Sequence, residues 1–145
     1  MKNKNTPSKN TTYLGVDYGK KRTGLALGRN GLTAILTAID SKDTIYALNE
    51  LAKIIALNKV DVIVFGLPLD AEGKDTAMSI EVRTFANSLK RKIKKNIQYV
   101  NEFQSSVEAT EDAISSGLSK KGRKSVDSIS AGIILKRYFE NLDTE

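Results

Sequence analysis

The chain has 145 residues and a formal net charge of +6, with neither cysteine nor histidine. That composition removes disulfides, thiolate and imidazole metal ligands, and Ser-His or Cys-His catalysis together. An enzyme built on it must work with carboxylates, hydroxyls, lysine, arginine or a metal held by oxygen, and its positive balance favours a polyanionic partner. No apolar run approaches the ~20 residues that span a bilayer. With 40% hydrophobic and 28% charged residues, the chain suits one domain with a real core. Residues 1–11 (MKNKNTPSKNT) lack the apolar stretch of a secretory signal. They read as a disordered tail before a single domain over 12–142, and the expected location is cytoplasmic.

Tyr13, Leu14 and Val16 predict a first strand that delivers Asp17 to its end. Tyr18-Gly19-Lys20 reads as a tight turn, with Gly19 at positive φ. Thr23–Leu27 returns as a second strand and Thr33–Ile39 closes a meander. Asp43 or Thr44 caps a helix over Ile45–Leu57, with Leu48, Leu51 and Ile55 inward. Val60–Phe65 (VDVIVF) is near-continuously apolar, as a central strand covered on both faces should be. Gly66-Leu67-Pro68 and a polar loop through Asp75 follow. A helix over Thr76–Lys94 keeps Met78, Val82, Phe85, Leu89 and Ile93 at helical spacing. Ile97–Val100 is a short fifth strand with Glu102 just past its end.

Ser105 to Glu108 fits a capping box for a helix that stops at Gly117. Leu118–Lys124 reads as a basic, glycine-containing loop. The last helix, over Val126–Asn141, turns Val126, Ile129, Ile133 and Tyr138 inward, with Asp127 in its first turn. The order predicts an α/β fold: a mixed five-stranded sheet, a three-stranded meander plus two parallel strands, with helices on both faces.

Three acids stand out by position: Asp17 after the first strand, Glu102 after the fifth, and Asp127 opening the last helix. In such sheets the carboxyl ends of parallel strands meet at one edge, where ligands bind. Oxygen ligands alone suit Mg²⁺ or Mn²⁺, and two such ions about 4 Å apart serve phosphodiester cleavage. Taken singly, each acid has a plainer reading: Asp17 serving a turn, Glu102 solvated, Asp127 complementing a helix dipole. A crowded trio should also raise the pKa of at least one member. Basic clusters lie at Lys20-Lys21-Arg22, at Lys90–Lys95, and at Lys120-Lys121 with Arg123-Lys124. The Lys90 group reads as a solvated helix end. The other two are placed to neutralise a nucleic-acid backbone. Aromatic residues are few and scattered, so base stacking is not a visible mechanism.

Leu14-Gly15-Val16-Asp17-Tyr18-Gly19 followed by Lys21-Arg22-Thr23-Gly24-Leu25-Ala26 resembles the opening of the YqgF (RuvX) family. These are Holliday-junction-resolvase-like proteins, also described as pre-16S rRNA nucleases, with an RNase H-like fold. Gly66-Leu67-Pro68 is similar to the family's loop after the fourth strand. Asn101-Glu102-Phe103-Gln104-Ser105-Ser106 sits where the family has D-E-R-x-T/S-T/S. Asp127-Ser128-Ile129-Ser130-Ala131 resembles its D-x-x-A-A helix. The resemblance spans Tyr13 to Phe139 and implies that Asp17, Glu102 and Asp127 are catalytic acids holding two Mg²⁺ or Mn²⁺ ions. It implies nuclease activity in 5′-end processing of precursor 16S rRNA during ribosome biogenesis, with DNA junction resolution as the alternative. Lys20, Lys21, Arg22, Lys120, Lys121, Arg123 and Lys124 are the expected nucleic-acid contacts. Phe103 replaces the family arginine, a bidentate phosphate donor, which leaves a non-catalytic RNA-binding module as a further reading. The opening strand pattern also suits actin-like ATPases, but those close two such domains over ATP.

Overall fold

A computed structural model describes residues 10–102 and 120–143, with side chains of the last helix described from Asp127 to Leu142. Residues 1–9 of the expected tail and the helix expected from Ser105 to Gly117 lie outside the described residues. The strands are β1 (Thr12–Asp17), β2 (Arg22–Arg29), β3 (Leu32–Asp40), β4 (Val62–Leu67) and β5 (Asn96–Asn101). The helices are α1 (Thr44–Leu57), α2 (Ala77–Lys92) and α3 (Lys120–Asp143). The sheet runs β3-β2-β1-β4-β5. Its first three strands form the antiparallel meander, and β1, β4 and β5 run parallel. The expected architecture stands.

Alternation along β1 divides the core. Leu14 and Val16 face α1 and α2, packing with Leu51, Ile55, Phe65, Val82, Phe85 and Leu89. Tyr13 faces α3, packing with Ala26, Val64, Val100, Ala131, Ile134, Leu135 and Tyr138. Ile63, Val64 and Phe65 of β4 are all fully buried, which explains why this strand reads as an unbroken apolar run. Both described helix starts on the first face are capped. Asp43 accepts from Tyr46 N–H on α1, and Thr76 and Ser79 form a reciprocal capping box on α2. Thr76 Oγ1 also donates to Pro68 O at 2.7 Å, tying the loop after β4 to the head of α2.

Three expectations change. Lys120–Lys124 is not a loop but the first turns of α3. One interior glycine, Gly122, costs a helix only about 1 kcal/mol, little against the packing of the turns that follow. Asp127 therefore lies well inside α3 and outside its first turn.

The buried face of α3 is also rotated. Ser128, Ala131, Ile134, Leu135 and Tyr138 are buried, whereas Ile129 is 44% exposed and Ile133 only half-buried. Close approach, not apolarity, selects this face: a Cβ on Gly24 would collide with the Asp127 carbonyl oxygen. The helix thus lies nearly backbone to backbone on β2.

Finally, Gly19 does not take positive φ; among the described residues that conformation occurs at Asn30, Gly31, Lys59 and Gly73. Gly19 is required because a Cβ there would strike the Arg22 carbonyl oxygen.

Gly24→Ala should destabilise the fold by about 2 kcal/mol or more, since backbone and not a pliable side chain must move. Urea unfolding would show a lowered midpoint; a wild-type midpoint would contradict this packing of α3.

Candidate functional site

Asp17 is the last residue of β1 and pairs with Gly24 of β2. Strand alternation gives it the same face as Tyr13, that of α3. The turn beside it is clamped by Ser41, whose amide donates to Lys21 O at 2.9 Å and whose hydroxyl donates to Gly19 O. Asp127 lies directly over Gly24. Its place is set by the next residue: Ser128 Oγ accepts the Leu25 N–H at 3.1 Å, where the β2–β3 register shifts between Thr23 and Leu25. Glu102 follows β5, and its N–H donates to Leu67 O at 2.8 Å. A Cβ on Gly66 would meet Ile134 Cδ1 at 2.6 Å and Glu102 Cγ at 2.9 Å, so glycine there makes the cradle in which the glutamate lies.

Phe65 pairs with Val16, which brings Gly66 level with Asp17. The three acids therefore occupy one row on the α3 face of one sheet edge: Glu102 over β4, Asp17 on β1, Asp127 over β2. Adjacent strands are about 4.8 Å apart, so the row spans roughly 10 Å with Asp17 at its centre. Among the described residues no three acids are drawn together closely enough to form a ready-made ion cluster.

Arginines hold the two outer acids. Arg22 Nε donates to Asp127 Oδ2 in an ion pair whose side chains are only 31% and 24% exposed. Arg137 Nη1 lies 3.2 Å from Glu102 Oε1, close enough for an ion pair. Its aim is poor, and buried Oε1 has no hydrogen-bond partner among the described residues. Burial pushes the Glu102 pKa up, against the opposing pull of Arg137. A raised acid was expected, but desolvation is its cause and not repulsion among carboxylates.

The first basic cluster is split by its turn. Lys20 reaches Glu81 of α2 at 3.4 Å on the opposite face, Arg22 turns to Asp127, and Lys21 is exposed. Lys120, Lys121, Arg123 and Lys124 lie on the turns of α3 that lead into Asp127. Ser128 and Arg137 were not singled out from sequence. Serine is too common to signal a backbone cap, and Arg137 sits 35 residues from Glu102 in the chain.

A mixed sheet of this order, helices on both faces and acids along its carboxyl edge define an RNase H-like domain. The solved Thermus thermophilus RuvC in complex with a Holliday junction substrate superposes with a TM-score of 0.59 at 10% identity, covering 91% of this chain and 95% of that one. The fowlpox virus Holliday junction resolvase gives 0.54 at 14% identity, covering 91% and 99%. In sequence, a profile of the RuvX family, described as Holliday junction resolvase, matches residues 11–141. A protein of Maridesulfovibrio salexigens named "Putative pre-16S rRNA nuclease" is 38% identical over 128 residues, 86% of this chain and 95% of the relative. One of Pectobacterium atrosepticum with the same name is 34% identical over 134 residues, covering 90% and 96%. The chain belongs to the RuvX (YqgF) family, a family of nucleases.

The half-buried glutamate gives a test of the site's electrostatics. Because its folded-state pKa lies above the unfolded value, the stability tied to the protonated form is lost as pH rises through the folded pKa. With EDTA present, Glu102→Gln should melt above wild type at neutral pH, and the gap should narrow as pH falls through the raised pKa and be gone below 4.5. A gap unchanged across that range would mean that Glu102 is solvated.

Proposed function

We propose that this chain is a divalent-metal-dependent nuclease acting in the cytoplasm on the 5′ end of precursor 16S rRNA through Asp17, Glu102 and Asp127. The observation that carries the reading is the row itself, with an aspartate at its centre and a carboxylate over each neighbouring strand. Mg²⁺ or Mn²⁺ fits these donors. They are oxygens only, and buried Glu102 Oε1 lacks a hydrogen-bond partner among the described residues. When bound, such ions stabilise charge on the attacking and leaving oxygens of a displacement at phosphorus. Asp17, at the centre of the row, would be the ligand common to both ends of the site. Glu102 and Asp127, now held by Arg137 and Arg22, would complete it at either end.

The protein contributes position and charge. The glycine seats at 24 and 66 let the two outer acids lie close above the sheet. Lys120, Lys121, Arg123 and Lys124, on the turns before Asp127, would carry flanking phosphates to this edge. The names of the curated relatives favour precursor rRNA. Branched DNA is the second reading, favoured by the likeness to structures solved with Holliday junctions. Among the described residues no helix is long and apolar enough to cross a membrane.

Cleavage of a precursor 16S rRNA fragment and of a four-way DNA junction, each with Mg²⁺ and Mn²⁺, tests the proposal and separates its two substrates. Asp17→Asn should abolish cleavage while leaving nucleic-acid affinity within about twofold, since no basic contact is lost. Activity that survives this change would remove the site assignment.

Replacing Lys120, Lys121, Arg123 and Lys124 by alanine should weaken binding and lower the slope of log K against log salt by about 3. A wild-type slope would place the substrate elsewhere.

A further inference from the structure

We infer that Arg137 is a substrate-binding arginine of this site, gripping a phosphate beside Glu102 from α3. The inference rests on the nuclease reading above and deepens it. Arg137 spends one nitrogen, Nη1, on the glutamate at 3.2 Å, and its side chain remains 39% exposed. A guanidinium carries five N–H donors. Among the described residues the rest of this one find no protein partner, and neighbouring Glu140 is not paired with it. Arg22, at the other end of the row, is less exposed and directs its Nε squarely to Asp127. Arg22 also keeps its Nη donors, but the more exposed guanidinium, less firmly committed to its acid, is the one over β4.

Its chemistry suits the task. A planar fork with delocalised charge matches two phosphate oxygens in a way that a lysine ammonium does not. Placement agrees: Glu102 rests on Gly66, level with Asp17, so Arg137 sits one strand from the centre of the row. The sequence has Phe103 where the family resemblance leads one to expect an arginine after the glutamate. Arg137 brings a guanidinium to that same glutamate from a different element.

The plainer role, a counter-ion for a half-buried acid, is separated by removing the acid first. In the Glu102→Gln background no charge needs neutralising and cleavage is disabled. Binding is read by anisotropy with a fluorescein-labelled RNA carrying the 5′ end of precursor 16S rRNA, in EDTA, between about 50 and 200 mM salt. Adding Arg137→Gln should lower the salt slope by about 0.7 to 0.9 and weaken binding five- to eightfold, roughly, near 100 mM. An unchanged slope overturns the inference.

The unaltered protein gives an independent measurement that no folding defect can confuse. Phenylglyoxal labelling read by mass spectrometry should modify Arg137 in the free protein and spare it when the RNA is saturating. Equal modification in both states also overturns the inference. Cleavage by the Asp17→Asn variant would sink the nuclease site while leaving the RNA contact of Arg137 standing, so the two failures are distinguishable.

Discussion

The close contact of α3 with β2 is the constraint on which the site depends. A 24-residue helix is laid on a strand at a glycine, and the register irregularity there turns the Leu25 N–H to the Ser128 hydroxyl. A buried backbone donor left without a partner costs about 1–3 kcal/mol, so Ser128 pins both the rotation and the height of the helix. Asp127, one residue earlier, is thereby held above Gly24 and beside Asp17. The same rotation lays Ile134 on Gly66 and carries Arg137 to Glu102. One backbone contact thus places two of the three acids' surroundings at once.

The electrostatics follow from this crowding. Carboxylates brought to one edge under a helix lose water, and the molecule answers with one arginine for each outer acid. Glu102 shows the balance most clearly: burial opposes its charge, and Arg137 only partly offsets it. An acid so placed gains from any cation offering better geometry than a misaligned guanidinium. The same edge therefore suits both a metal ion and the phosphate that it would act upon.

Most of the fold was legible in the chain because its signals are local. VDVIVF reads as a doubly covered strand, which stands two residues later at Val62–Leu67, taking in Gly66-Leu67. Val82, Phe85 and Leu89, at helical spacing, are the buried face of α2. The β2–β3 turn falls at Asn30-Gly31, both at positive φ, a dipeptide that had not been singled out from sequence. What escaped was decided by tertiary contact. The inward face of α3 was misjudged because apolarity favours Ile129, whereas glycines on β2 and β4 choose Ser128 and Ile134. Its start was misplaced because Gly122 reads as a loop until the packing of later turns is known. Gly19 reads as a turn glycine at positive φ, whereas what requires it is the close approach of the Arg22 carbonyl. The acids themselves were legible as strand-end and helix residues. Their arginine partners were not, because each pair joins residues distant in the chain.

The central claim, that Asp17 is the shared ligand of a divalent-ion site between Glu102 and Asp127, is tested most directly by crystals soaked in Mn²⁺. An anomalous difference map should show a peak in contact with the Asp17 carboxylate and at least one of its two neighbours in the row. Peaks confined to other carboxylates, or none at full soak with Asp17 accessible, would contradict the account.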